Sequence, residues 1–166
     1  MINMKNVLVA TDFSDVSDTV ISYGRQLARN FGARLHLVHV VDNPMLWSSI
    51  EGVTINVPAI LAELQEAAGE RLRKRLTEQD RVDLQAKAVV LTGNVPAYAI
   101  VDYAKEANID LIVMGTHGRG MVAHLLLGSV AEKVLRLAPC PVLTVKNRER
   151  EFVMPDALQV AVAVNP

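Results

Sequence analysis

From Leu111 the chain reads Leu-Ile-Val-Met, then Gly115-Thr116-His117-Gly118-Arg119-Gly120, and a little further on Gly128-Ser129. Glycines let backbone amides approach an anion without a Cβ in the way, and the amides and positive dipole end of a helix starting at Ser129 favour negative charge. An apolar strand, a glycine loop and a helix start, in that order, are the parts of a phosphate site. A glycine-rich loop alone is a weak signal, and the order gives it weight. It is not a P-loop, because no Lys stands between Gly128 and Ser129 or just ahead of them. Nor is it a dinucleotide fingerprint, because the glycines follow the fourth expected strand instead of the first. Ser129 could also simply cap its helix, with Glu132 completing a capping box, although capping accounts neither for the upstream glycines nor for their spacing. The two roles can coexist through different donors.

A second polar group ends the apolar run Val7-Leu8-Val9-Ala10-Thr11, which continues as Asp12-Phe13-Ser14. The Asp12 carboxylate can accept from a sugar hydroxyl or attract a hydrated metal, which makes it a ribose or magnesium-linked ligand. The other reading is a helix cap, a role that Ser14 or Asp15 can fill instead. In the glycine loop, Arg119 could neutralise phosphate charge, while His117 reads as solvated. His36 and His39 lack the spacing and the further ligands of a metal site, so packing roles are expected of them. Arg71, Arg73, Lys74 and Arg75 alternate with glutamates and read as a solvated helix face. Cys140, the lone cysteine, sits between Pro139 and Pro141 and reads as a small buried hydrophobe.

Short β-branched runs alternate with segments of helical period, the pattern of a parallel sheet covered by helices on both faces. The first run is apolar almost throughout and is expected at the centre of the sheet. A helix follows, capped by Ser14 or Asp15, with Val16, Val20, Tyr23, Leu27 and Phe31 toward the sheet and Gly32 ending it. The second strand is expected over Leu35 to Val41. Residues 44–57, with Trp47 and Gly52, have no clear period and read as a mobile or partner-dependent loop. One long helix is predicted from about Pro58 to Gln79, with Leu61, Leu64, Ala68, Leu72 and Leu76 on one face. A third strand near Gln85 to Leu91, a helix opened by Asn94 and Pro96, and the fourth strand at Leu111 to Met114 continue the alternation. The last helix and strand are expected over Ser129 to Leu137 and Val142 to Val145.

The whole is 166 residues with 17 Lys and Arg against 18 Asp and Glu, the size of one domain and without a basic face for nucleic acid. No apolar stretch reaches membrane-spanning length, and the few apolar residues before Asp12 are too short for a signal peptide, so the chain reads as cytoplasmic.

Gly115-x-x-Gly118 followed after nine residues by Gly128-Ser129 matches the ATP-binding signature of the universal stress protein family. The resemblance extends to about Lys146 through Val9-Ala10-Thr11-Asp12-Phe13-Ser14, His39-Val40 and Pro139-Cys140-Pro141-Val142. It implies one five-stranded parallel sheet of order 3-2-1-4-5, with a flavodoxin-like order as the competing topology. In the family-like order the first and fourth strands lie side by side, and ligands belong in the crevice at their carboxyl ends. Carried over residue by residue, the adenine lies near Thr11 and the backbone of Val40. The ribose falls near Asp12 and Gly115, and the phosphates near Gly118, Gly128, Ser129 and Val130. Ala10, Met114 and Arg119 complete the candidate set. ATP with Mg²⁺ is the implied cofactor, and the implied role is a nucleotide-dependent regulator of stress response acting through a homodimer or an unidentified protein partner. An ATP hydrolase has only Asp12 and His117 as weak candidates for activating an attacking group, and an assembly protein that has lost nucleotide binding is the third reading. Residues 1–146 form the expected nucleotide-binding domain and 147–166 a C-terminal extension. Its alternating valines, Val160, Val162 and Val164, could pair with a sheet edge or a second subunit.

Overall fold

The computed structural model describes residues 3–14, 16–43, 56–116 and 127–146. Its elements are β1 (Asn6–Ala10), α1 (Ser17–Phe31), β2 (Arg34–Val41), α2 (Val57–Arg75), α3 (Glu78–Asp83), β3 (Lys87–Thr92), α4 (Pro96–Glu106), β4 (Leu111–Gly115), α5 (Ser129–Leu137) and β5 (Val142–Val145). The strands form one five-stranded sheet of order β3-β2-β1-β4-β5, with every pairing parallel. The order implied by the family resemblance is therefore the observed one, and the flavodoxin-like alternative falls. β1 takes the central place that its unbroken apolar run predicts.

Alternation along β1 feeds two cores. Val7 and Val9 are fully buried with Val20, Leu35, Leu37, Leu72 and Val113 on one face, whereas Leu8 joins Val38, Ile100, Ile112 and Val134 on the other. A strand with both faces covered has no room for a polar position, which is why its sequence reads as continuous hydrophobe. Cys140 packs against the second core, and burial pushes its thiol up, as befits a small apolar filler.

Several local expectations shift. The α1 residues buried against the sheet are Ser17, Val20, Ile21, Gly24 and Ala28, while Tyr23 and Phe31 of the expected stripe are exposed. The reason is Gly24: an added Cβ there would overlap Val9 Cγ2, so the helix seats its glycine on β1 and turns the larger residues outward. Ser14 does not cap α1, whose N-cap position is Val16 without a side-chain bond, and Asp15 lies outside the described residues. Gly32 does end the helix, in the left-handed conformation at φ 62°.

The long helix expected over Pro58 to Gln79 is broken. α2 stops at Arg75, Leu76 is extended, and Thr77 opens α3 with a capping box to Asp80. Asp80 is fully buried and decides the break. Its carboxylate accepts from Arg25 Nε at 2.8 and 3.0 Å, from Arg29 Nη2 at 3.3 Å and from the Thr77 amide at 3.0 Å. Burial alone would raise its pKa, but the Arg25 and Thr77 bonds outweigh that and hold it low. Arg25 also reaches the Arg75 carbonyl at the end of α2, so one buried acid ties α1, α2 and α3 together. A continuous helix would carry Asp80 away from those arginines.

His36 is buried on the second face and pairs through Nδ1 with Tyr103 Oη of α4 at 2.9 Å, the packing role expected of it. Its pKa is lowered to about 4 by burial first, then by the charges of Lys87 and Arg34.

Two outcomes test this packing. Gly24→Ala should cost about 1–3 kcal/mol in urea unfolding despite alanine's better helix propensity, because the methyl must displace Val9 or lift α1 from the sheet. Between pH 6.5 and about 4 only the unfolded chain protonates His36, so stability is full above that window and falls as pH drops through it, by up to about 3 kcal/mol. His36→Leu should flatten this slope in unfolding curves taken across the window.

Candidate functional site

β1 and β4 lie side by side, with Ala10 opposite Met114 at their carboxyl ends. α1 leaves β1 to one face and α5 leaves β4 to the other, so the chain parts and a crevice opens between them. A cavity of about 920 Å³ occupies it, toward the upper end of the roughly 300–1,000 Å³ of small-molecule sites. Ala10, Thr11, Asp12, Val40, Met114, Gly115, Gly128, Ser129 and Val130 all line it, brought together from β1, β2, β4 and α5. Gly118 and Arg119, with His117 and Gly120, lie outside the described residues, as do Trp47 and Gly52 of the second expected loop.

Each wall is held by bonds between elements. The Thr11 amide donates to the Val38 carbonyl at 2.9 Å, binding the end of β1 to β2. The Gly128 amide donates to the Thr116 carbonyl at 2.7 Å, and the Thr116 amide to the Val145 carbonyl at 3.0 Å, so the start of α5 is tied back to the end of β4. Gly128 is the N-cap of α5, Ser129 is its first helical residue, and no side chain caps it. The capping box with Glu132 is therefore not formed; Glu132 pairs with Arg136 at 3.7 Å instead. The amides of Ser129 and Val130, in the first turn, have no acceptor within their own helix and lie at its positive pole, and both residues line the cavity.

Asp12 is engaged rather than loose. Its Oδ1 accepts from the Ser14 amide at 3.0 Å, Ser14 Oγ at 2.7 Å and Ser17 Oγ at 3.1 Å. Asp12 does not cap α1, whose N-cap is Val16; it lines the cavity and braces the turn that leads into the helix. Burial works to raise its pKa, yet these donors outweigh it and hold the carboxyl below its ordinary value. A carboxylate so stabilised is a hydrogen-bond acceptor or cation ligand and a poor proton acceptor for hydrolysis.

Sequence reasoning missed the neighbours of Asp12. Phe13 adopts φ 64°, a left-handed conformation that costs a side-chain-bearing residue about 1–2 kcal/mol. Its ring stacks on His39 with centroids 4.2 Å apart, and the Arg71 guanidinium of α2 lies 4.0 Å from the ring centroid on the cavity wall. His39 in turn donates from Nδ1 to the Thr11 carbonyl at 2.8 Å. Aromatic and cation–π contacts are worth about 0.5–2 kcal/mol each, enough to hold the strained turn. Arg71 stays exposed while packing over the ring, and Arg73, bound to Glu66 at 2.8 Å, is exposed as well, so both keep to the solvated face read for their cluster; Arg75 departs from it, half-buried, over the same Phe13 ring at 5.1 Å and paired with Asp18 at 3.3 Å. The pairing of an aromatic after Asp12 with an arginine far along the chain carries no sequence signal.

An open parallel α/β sheet with a ligand-sized cavity at its switch point, lined by a helix N-terminus and a strand-end carboxylate, defines the class of fold to which the chain belongs. Comparison with known proteins narrows this. The sequence pattern of the Universal stress protein family matches residues 3–146. A universal stress protein of Methanocaldococcus jannaschii is 36% identical over 148 residues, which cover 89% of this chain and 85% of that protein. Among solved structures, a universal stress protein from Lactobacillus plantarum aligns with a TM-score of 0.70 at 28% identity, covering 87% of this chain and 99% of its own. A universal stress protein from Archaeoglobus fulgidus in complex with dAMP aligns with a TM-score of 0.54 at 26% identity, covering 88% and 100%. The chain belongs to the universal stress protein family.

Proposed function

We propose that this chain binds an adenine nucleotide, ATP with Mg²⁺, in the cavity between β1 and β4, and acts as a nucleotide-dependent regulator. The observation that carries the reading is convergence: residues from four separate elements, each proposed on sequence grounds, line one cavity. Adenine would lie toward Thr11 and the Val40 backbone, ribose toward Asp12 and Gly115, and phosphate toward the α5 N-terminus at Gly128, Ser129 and Val130. The dAMP complex of the Archaeoglobus relative supports an adenine ligand. Residues 1–146 would be the nucleotide-binding domain and the remainder an extension. Signalling without turnover is favoured by Asp12, whose proton affinity is lowered where a general base needs it raised.

A homodimer would transmit occupancy. β5 is an edge strand, and Leu143 on it and Leu135 and Leu137 on the adjoining α5 are exposed, an apolar edge of the kind a second copy covers. Among the described residues no helix is long and apolar enough to cross a membrane.

Millimolar Mg-ATP should raise the melting temperature and release heat in titration calorimetry, with a stabilisation of about 2.7 kcal/mol at one hundred times Kd. Gly128 sits at φ −73°, where valine is tolerated, so Gly128→Val should fold yet lose about tenfold or more in ATP affinity through obstruction of phosphate approach. No shift and no heat with folded wild-type protein would end the nucleotide reading. Truncation after Arg148 should weaken self-association in sedimentation while leaving the ATP titration unchanged; a full-length chain that stays monomeric at high concentration would remove the dimer.

A further inference from the structure

We infer that the Arg71–Phe13–His39 stack is a positioning device: by holding Phe13 left-handed it fixes the turn that carries Asp12, so Arg71 sets the preference for ligands with free ribose hydroxyls without touching them. This rests on the nucleotide reading of the cavity. Three observations from different parts of the molecule meet here. Phe13 is at φ 64°, which reverses the chain between Asp12 and Ser14 and lets the Ser14 amide fold back onto Asp12 Oδ1 at 3.0 Å, while the Phe13 amide reaches Thr11 Oγ1 at 3.1 Å. The ring that must be kept there is contacted by His39, with centroids 4.2 Å apart, and by the Arg71 guanidinium at 4.0 Å, with Arg75 a more distant second guanidinium at 5.1 Å. His39 is itself locked to the Thr11 carbonyl at 2.8 Å, so the stack joins the segment after β1, the end of β2 and the C-terminal part of α2.

A phenylalanine relaxed out of the left-handed region would carry the Ser14 amide away from Asp12, and the carboxylate would lose the donors that fix its direction. Direction matters because a hydrogen bond to a sugar hydroxyl weakens steeply with misalignment. Arg71 is exposed on its outer side and pairs with the ring face, so its removal leaves both cores intact.

The test combines binding with hydrogen exchange. Arg71→Ala should weaken ATP and adenosine by the same factor, about three- to tenfold, and 2′,3′-dideoxy-ATP hardly at all. In an Asp12→Asn background the same substitution should add nothing, since the two residues act in series. Without ligand, Arg71→Ala should speed exchange of the Phe13 and Ser14 amides while global stability stays put, and Arg71→Lys should restore much of the protection. A loss that is larger for ATP than for adenosine and persists with Asp12→Asn would make Arg71 a direct phosphate contact and overturn the positioning role. Unchanged affinity together with unchanged exchange would overturn the stack altogether. A wild-type chain that binds none of the three ligands would overturn the nucleotide reading and the selectivity with it, while the exchange measurement would still decide whether the stack holds the turn.

Discussion

The pairing of β1 with β4 is the constraint on which everything else rests. Strands that are distant in sequence lie side by side, Val7 opposite Leu111 through Ala10 opposite Met114, and their helices depart to opposite faces. Right-handed crossovers allow only one way of closing that arrangement, which puts α1 and α2 on one face and α4 and α5 on the other. The crevice is then a geometric necessity: two neighbouring strands whose chains part must leave a gap at their carboxyl ends. Lining that gap with a carboxylate and a helix N-terminus is what turns an architectural gap into a site.

Two kinds of polar interaction sit around this frame and do different work. Asp80, sealed from solvent and bound to Arg25, Arg29 and Thr77, ties α1, α2 and α3 together. A buried acid so fully paired is costly to break, because each partner lost leaves charge without solvent. Asp12 is only partly buried and accepts from short side chains of its own turn. The first network joins three helices, and the second fixes a carboxylate at the cavity wall.

One of the strained backbone positions lies at the cavity wall. Phe13 is left-handed at the cavity wall, whereas the other described side-chain-bearing residues of positive φ, Gln85 and Asn108, lie at strand approaches. Asparagine tolerates that conformation well; phenylalanine does not, and it persists only because aromatic and cationic neighbours over-determine it. Such a turn sets the Ser14 amide against the Asp12 carboxylate.

Much of the fold was legible because burial on both faces writes itself into sequence. β1, β4 and β5 and the bounds of α5 followed from unbroken apolar runs, glycines and helix starts. The family resemblance supplied the strand order, which periodicity alone left open between two topologies. That Ala10, Thr11, Asp12, Val40, Met114, Gly115, Gly128, Ser129 and Val130 would share one cavity came from the family resemblance added to local glycine and strand-end signals, while Gly118 and Arg119 of the same set lie outside the described residues. What stayed hidden was pairwise and distant. The break between Arg75 and Thr77 depends on Asp80 meeting arginines of α1, and Gly24 faces inward because Val9 lies beneath it. Arg71, though exposed, packs over the ring of Phe13, a residue far earlier in the chain. Local sequence determines which conformations a segment can adopt, and only the packed structure decides which partner each side chain meets, because contact energies between remote residues leave no periodic trace along the chain.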